Sequence, residues 1–561
     1  MHGGVGALGD GVAASVAETP EGVWACAGEA LERRALAGEL RARGVVPEAD
    51  DPASVPDTAT ILAGVSAGRG PLAGAARLHG EVAWAALDAG GVLRAGTDAG
   101  GSRALYAGCT LDGGCVVASA PSEVLAGGVP GEVDADALAA WVEEGRFAGG
   151  RTPWRHVRRF RAGQSLAVRA GEAPIWSEVA QVRNPGDAGG STERWARSLG
   201  YAIALAVRRR AAPEGAVAVA LGAGAASEVV LRLAAERRAG ALVALVLDTG
   251  AVDLARVTAL AAAVGARLVR VPADAGALED AARDALVTLD VPTGPVEAAS
   301  WLLARAASQA GASVLLTGMG ATAALGGDAG LVGEGARAIA REVPSRVAGW
   351  LGGRVGRAYA AAPRLETGGP DASAAPRATF VGGERAPEGG PVAGLRGGEA
   401  VHDDRGERHV LRGALRGPRR SPPSGDREGV EPPAPRVAES SDPSGASSLG
   451  AVLEARQLLL ADTWLPALDL ACRALGVEVR HPFREASLIA LAATVPAWHL
   501  LPRPGRSRGL LGLALDVALT PVGARAPVPR DWAPHAPLVL PVADPLAVRA
   551  AAAAAWRARR G

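Results

Sequence analysis

The run Ala216-Val217-Ala218-Val219-Ala220-Leu221-Gly222-Ala223-Gly224-Ala225-Ala226-Ser227-Glu228 reads as an apolar strand, a glycine loop and the start of a helix reaching about Arg238. A strand that runs into a glycine turn and straight on into a helix is the opening half of a βαβ unit. The pattern continues downstream. Leu242 to Leu247 is a second strand, Asp253 to Val264 a helix and Arg267 to Val271 a third strand. After a further helical stretch comes Ser313 to Leu316, followed by Thr317-Gly318-Met319-Gly320, and a helix from Glu193 to Arg210 precedes the whole set. Strands separated by helices predict a parallel, doubly wound sheet with crossover connections.

In such a sheet ligands sit in the crevice beyond the carboxyl ends of the strands. Both glycine loops fall there. Glycine lets backbone N–H groups approach an anion, and a helix N-terminus stabilises it. Gly222, Gly224, Gly318 and Gly320, with Leu221, Ser227 and Asp248 beside them, are therefore candidate phosphate contacts. The same glycines would equally serve tight turns, and Ser227 is favoured as a helix cap.

Working outward, residues 1 to about 180 are short apolar runs broken by Gly, Pro and Asp: Val82 to Leu87, Gly91 to Ala95, Cys115 to Ser119 and Gln164 to Val168. That is the punctuation of an antiparallel sheet, with helices expected at Gly28–Arg43 and Asp134–Glu143. A polar break from Asn184 to Ser191 marks a linker. Residues 363–448 are dense in Pro, Gly, Ser, Arg and Asp without periodicity, which predicts a disordered insertion, Pro418 to Pro435 above all. Helical periodicity returns from Leu449 to Arg508, and an Ala/Arg-rich helix closes the chain.

The bulk numbers exclude several classes. The 561 residues carry a net charge of +0, so no global field draws the chain to nucleic acid or to an anionic membrane. No window resembles a membrane span or a signal peptide, and the expected location is the cytoplasm. Aromatics make up 3% of residues, leaving cores to Ala, Val and Leu. All 59 basic residues are arginine, as a GC-rich genome would encode, and this removes every mechanism that needs a lysine. The cysteines, Cys26, Cys109, Cys115 and Cys472, match no common metal spacing and are read as structural thiols.

This order of motifs resembles the asparagine synthetase family, whose synthetase domain opens with S-G-G-x-D-S and continues to S-G-x-G-x-D-E-L-F-G-G. Asp248 and Asp253 fall at the family's acid-rich turn, and Leu289-Asp290-Val291-Pro292 resembles its L-D-E-P. Gly476-Val477-Glu478-Val479-Arg480-His481-Pro482-Phe483 is close to G-L-E-V-R-x-P-F, with Asp469 at the position of the preceding D-R. In the first half, His79 to Ala83, Asp98, Gly101 and Leu105-Tyr106 resemble glutaminase-domain motifs, and Arg151 to Gln164 a segment near the hinge. The resemblance implies an α/β protein. Residues 1–183 would form a glutaminase-like α+β sandwich of the Ntn-hydrolase type. Residues 191–362 and 449–540 would form an ATP-pyrophosphatase-like, doubly wound domain with a helical C-terminal part. It further implies ATP and Mg²⁺, a small-molecule or peptide carboxylate as substrate, and a homodimer.

The departures matter as much. The family's glutaminase uses an N-terminal cysteine, whereas His2 follows Met1 here, and its oxyanion asparagine has no counterpart, because Asn184 is the only asparagine. Glutamine hydrolysis is not expected. In the synthetase half the metal-binding aspartates fall on Ala226 and Thr322, the adjoining glutamate falls on Ala323, and the first serine of the loop falls on Gly222. Alanine offers a hard cation no oxygen, so no metal ligands are assigned. The family's phosphate-side lysine aligns with Arg508. Asp248, Asp290, Glu478 and Glu485 remain as acids. Glu478 and Arg480 are weak catalytic candidates, with Arg508, and read equally well as a buried ion pair. His481 is read as packing, and Arg208-Arg209-Arg210 as a solvated helix end. Three functions stay open: an amide-forming ATP-dependent ligase with an unusual metal site, a macrocyclase of the lasso-peptide type, and a non-catalytic scaffold or binding relative.

Overall fold

Period-two alternation builds the first half of the molecule. Ala14–Thr19 (β1) and Gly22–Ala27 (β2) make an antiparallel hairpin, and Ala30–Leu31 (β3) pairs with His79–Gly80 (β4). Ala83–Asp88 (β5) and Val92–Thr97 (β6) follow, then Tyr106–Cys109 (β7), Cys115–Ala118 (β8), Val157–Arg159 (β9), Gln164–Arg169 (β10) and Ile175–Glu178 (β11). They form a six-stranded sheet in the order β1-β2-β5-β6-β10-β11 and a three-stranded sheet in the order β8-β7-β9.

Successive side chains point to opposite faces. Ala27, Ala83, Ala95 and Leu166 of the large sheet meet Leu105, Ala107 and Phe160 on the side of the small one. On the other face of the large sheet, Cys26 and Trp84 pack against Arg33–Ala42 (α1) and Thr58–Ser66 (α2), which is followed by the short helix Pro71–Ala75 (α3). On the far face of the small sheet, Tyr106 and Trp154 pack against Pro121–Ala126 (α4) and Ala135–Glu144 (α5). The result is four layers: helix, sheet, sheet, helix. α1 starts at Arg33 rather than Gly28, because β3 takes Ala30 and Leu31 into a strand pair.

The computed structural model describes residues 14–28, 30–46, 55–68, 70–75, 77–178, 190–211, 215–222, 224–237, 241–326, 401–402, 408–409, 448–500, 509–520 and 540–560. Two compact units divide the chain, Met1–Gly353 with Ser444–Gly561, and Arg354–Pro443. The expected insertion at 363–448 lies almost wholly outside the described residues, as do Met1, His2, Asn184, Gly327 and Arg508.

In the second half, Thr192–Arg210 (α6) begins at Ser191, whose hydroxyl accepts the Arg194 N–H at 3.2 Å. Then come Ala216–Ala220 (β12), Ala225–Ala235 (α7), Leu242–Asp248 (β13), Leu254–Ala263 (α8), Arg267–Pro272 (β14), Ala275–Leu289 (α9), Pro295–Gln309 (α10), Ala312–Leu316 (β15) and Ala321–Leu325 (α11). Asp253 and Asp274 cap α8 and α9 through side-chain bonds of 3.0 and 2.9 Å to backbone N–H groups.

In the smaller unit the described residues form one antiparallel pair, Val401–His402 (β16) and Arg408–His409 (β17). Glu478–Arg480 (β18) returns to the parallel sheet, whose order is β14-β13-β12-β15-β18 with every pair parallel. β13 is buried over six consecutive residues, as a central strand covered on both faces must be. One face carries α6, α7, α8 and the helix Leu510–Ala518, and the other carries α9, α10 and the helix Trp464–Ala474. The parallel, doubly wound sheet is therefore present. The expected helical stretch Leu449–Arg508 needs one correction: it contains β18, a three-residue strand whose two charged side chains hide its period. The closing helix, Pro545–Arg560, packs its Ala553 and Trp556 into the cluster of Trp141 and Trp154 in the first half.

Candidate functional site

The carboxyl ends of β12, β15 and β18 lie side by side and release the two glycine loops and the segment after Arg480 into one place. Leu221 follows directly on β12, 2% exposed, its N–H bonded to the Leu245 carbonyl at 2.7 Å. Gly224 caps α7, so Ser227 is not the helix cap that was expected; it sits at the third helical position and folds the loop onto itself. Its hydroxyl accepts the Gly222 N–H at 3.1 Å and faces the carbonyls of Gly222 and Gly224 at 3.0 and 2.9 Å. The second loop closes on this turn. A Cβ at Gly318 would lie 2.8 Å from the Ser227 nitrogen and 3.1 Å from the Ala226 carbonyl carbon, so only glycine fits between the two backbones. Gly320 has φ 94 and lies against the Arg484 side chain, where a Cβ would come within 2.9 Å of Cδ.

Behind the loops Thr317 Oγ1 and His481 Nδ1 share a bond of 2.7 Å. His481 is fully buried, its backbone N–H bonds Glu81 Oε1 at 2.9 Å, and its Nε2 has no hydrogen-bond partner among the described residues. Burial pulls its pKa down to about 4 against the charges of Glu81 and Asp469, so the ring is neutral at pH 7.

Beneath His481 runs an interior ionic network that joins the two halves. Glu478 and Arg480, two apart on β18, share a face and pair at 3.1–3.2 Å, with exposures of 8% and 2%. Arg103 of the first half reaches Glu478 at 3.1 Å and Asp469 at 2.8 Å. Arg480 also donates to the Arg210 carbonyl at 3.0 Å. Arg210 in turn holds Glu81 at 2.8 Å and pairs with Glu485, which also takes a bond from His79 at 2.9 Å. Burial alone would raise the Glu485 carboxyl; His79 and Arg210 override it and hold it at about 2. Arg210 is thus not a solvated helix end. It is 1% exposed, because Glu81 and Glu485 draw it inward, while Arg208 and Arg209 pair with Glu236 and Glu32 nearer the surface. Reading the sequence missed Glu81, Arg103 and Arg210 as partners, since residues 129 or more positions apart leave no local pattern; the only available signal was the density of charge around Glu478.

The donor set for a divalent cation is poor. Ala226 supplies no oxygen, and Thr322 one hydroxyl. Every acid left as a possible replacement carries arginine: Asp248 pairs with Arg270, Asp290 with Arg560, Glu478 with Arg480 and Arg103, and Glu485 with Arg210. Glu228, next to Ser227, is held by Arg232 at 2.9 Å and Arg256 at 2.7 Å. Among the described residues no group of three His, Cys, Asp or Glu converges on a metal position. The residues here do not fit Mg²⁺. A cleft of about 660 Å³ lies elsewhere, outside β14 between α9 and α10, where Arg270, Arg283 and Arg305 are already paired with aspartates. The motif Leu289–Pro292 joins α9 to α10. Asp290 ends α9 with φ 54, and its carbonyl accepts the Trp556 indole N–H at 3.1 Å.

Residues 199–519 match the family model described as asparagine synthase, more than half of the chain. The chain belongs to the asparagine synthase family. No curated protein matches it significantly. The asparagine synthase match spans both glycine loops, Arg210 and the segment Glu478–Glu485, and begins after the sheets of the first half. The family is one of ATP-dependent, amide-forming ligases. No helix among the described residues is long and apolar enough to cross a membrane.

Proposed function

We propose that this chain keeps the framework of an ATP-dependent amide-forming ligase but has given up Mg²⁺-dependent carboxylate adenylation and glutamine hydrolysis, and serves as a cytoplasmic binding relative of the family. The four-layer first half is read as a sandwich of the Ntn-hydrolase type, and the parallel-sheet half as ATP-pyrophosphatase-like. The observation that carries the proposal is the state of the acids around the glycine loops. The carboxylates are missing at Ala226 and Thr322, and among the described residues Asp248, Asp290, Glu478 and Glu485 are each paired with arginine, which leaves a cation bridging phosphates few open ligands.

Glutamine hydrolysis lacks its parts as well. Cys26 is buried, and burial with the charge of Asp57 drives its thiol far from the thiolate form. The sole asparagine is Asn184, far in sequence from the glutaminase-like motifs. Glu81 is bound to Arg210 in the interior.

The test is ATP–pyrophosphate exchange over a panel of amino-acid and peptide carboxylates with Mg²⁺, together with glutamate release from glutamine. Both should stay at the level of heat-denatured protein. Exchange above that level with any carboxylate would restore the ligase reading.

A further inference from the structure

We propose that Cys109 and Cys115 are a redox-responsive thiol pair, closed to a disulfide by a low-molecular-weight disulfide and reopened by a low-molecular-weight thiol. They are two of only four cysteines in the chain, and they stand directly opposite each other where β7 and β8 meet. The Thr110 N–H bonds the Gly114 carbonyl at 3.0 Å, which makes the adjacent Cys109–Cys115 pair the non-hydrogen-bonded kind. At such pairs antiparallel strands approach to about 4.5 Å between Cα atoms, inside the span a disulfide requires.

Exposure assigns the order of events. Cys109 is exposed at the hairpin tip, while Cys115 is half-buried against the cluster between the two sheets. The Cys109 thiolate attacks a glutathione-type disulfide, forming a mixed disulfide and releasing one small thiolate. Cys115 then loses its proton to solvent and attacks the Cys109 sulfur, expelling the second small thiolate. Two protein thiols are oxidised and one small disulfide is reduced to two thiols, so electrons and protons balance. Burial and the neighbouring Cys109 push the Cys115 thiol up to about 12, which makes closure the slow step and speeds it as pH rises. The bond would enclose only Thr110–Gly114, and short loops yield less stabilisation than long ones, as suits a reversible link. Cys26 and Cys472, both buried, take no part.

The full chain is held over a series of ratios of oxidised to reduced glutathione, alkylated, denatured and digested with trypsin. No Arg or Lys falls between Arg103 and Arg146, so both cysteines lie on the peptide Ala104–Arg146. That peptide is expected to lose the mass of two hydrogens and to escape alkylation, and excess dithiothreitol should reverse both changes. Cys115→Ser should instead trap glutathione on Cys109. The proposal is overturned if wild-type Cys109 keeps glutathione without closing, if both thiols are alkylated at every ratio, or if Cys109 links two chains.

Discussion

Arg210 and Glu81 meet in the interior, Nε to Oε1 at 2.8 Å, one from the last turn of α6 and the other from the link between β4 and β5, each side chain 2% exposed. Their contact joins the antiparallel half to the parallel half, and Arg210 extends it to Glu485. Arg210→Ala would leave two carboxylates buried without their cation, which costs about 3–5 kcal/mol. Arg208→Ala, two positions earlier on a partly exposed pair with Glu236, should cost about 0–1 kcal/mol. Urea unfolding of the two variants checks the contrast, and equal losses would refute the interior lock.

His481 gives the network a pH dependence. Burial lowers its pKa from 6.5 to about 4 in the folded chain. Below 6.5 the unfolded chain binds a proton that the folded chain refuses, so the contribution is whole above 6.5 and declines as pH falls to 4. The loss is on the order of 3 kcal/mol. Asp98, raised from 3.8 to about 6 by burial and by Glu81, holds its proton in the folded state and slopes the opposite way. The difference between wild type and His481→Gln isolates the histidine: the stability of the wild type relative to the variant should fall as pH drops from 6.5 to 4. Parallel curves would contradict a buried neutral ring.

The glycine loops make a steric prediction. Gly318→Ala would drive a methyl group into the Ser227 nitrogen and the Ala226 carbonyl carbon, both backbone atoms, and should destabilise by about 1–3 kcal/mol. At Gly222 a Cβ meets nothing nearer than the Ser227 hydroxyl at 3.9 Å, so Gly222→Ala should stay within about 0.5 kcal/mol. Thermal melts distinguish the two, and a tolerated Gly318→Ala would mean the loops stand apart.

The C-terminal helix is a staple. Trp556 is fully buried, lies edge-on to Trp154 at 4.9 Å and donates to the Asp290 carbonyl. Trp556→Ala should cost about 3–5 kcal/mol by cavity formation. A loss under ~1 kcal/mol by urea unfolding would show the helix to be dispensable.

The parallel sheet was legible because its strands are apolar, bounded by glycine turns and separated by amphipathic helices; Ala216–Ala220 and Leu242–Asp248 lie within a residue of their expected ends. β18 was not, since Glu-Val-Arg carries no strand signal apart from its partner β15. Neither was the β1–β2 hairpin, whose Ala-rich alternation is too weak to mark a face. At the site, the loss of carboxylates could be read from Ala226 and Thr322 directly. The arginine partners of Asp248, Asp290 and Glu485 could not, because ion pairs between distant segments depend on the fold that brings them together. The same limit hid Cys109 opposite Cys115: their spacing matches no metal motif, and only the hairpin register shows that they face each other.

The proposal that the glycine loops hold phosphate without fixing Mg²⁺ is tested most directly by calorimetric titration of ATP into the native chain with and without Mg²⁺, beside the double variant Ala226→Asp, Thr322→Asp. The native chain should bind ATP weakly and equally under both conditions, while the variant should bind at least tenfold more tightly with the cation present. Tight, Mg²⁺-dependent binding by the native chain would contradict it, and would mean that an acid now paired with arginine is released to hold the metal.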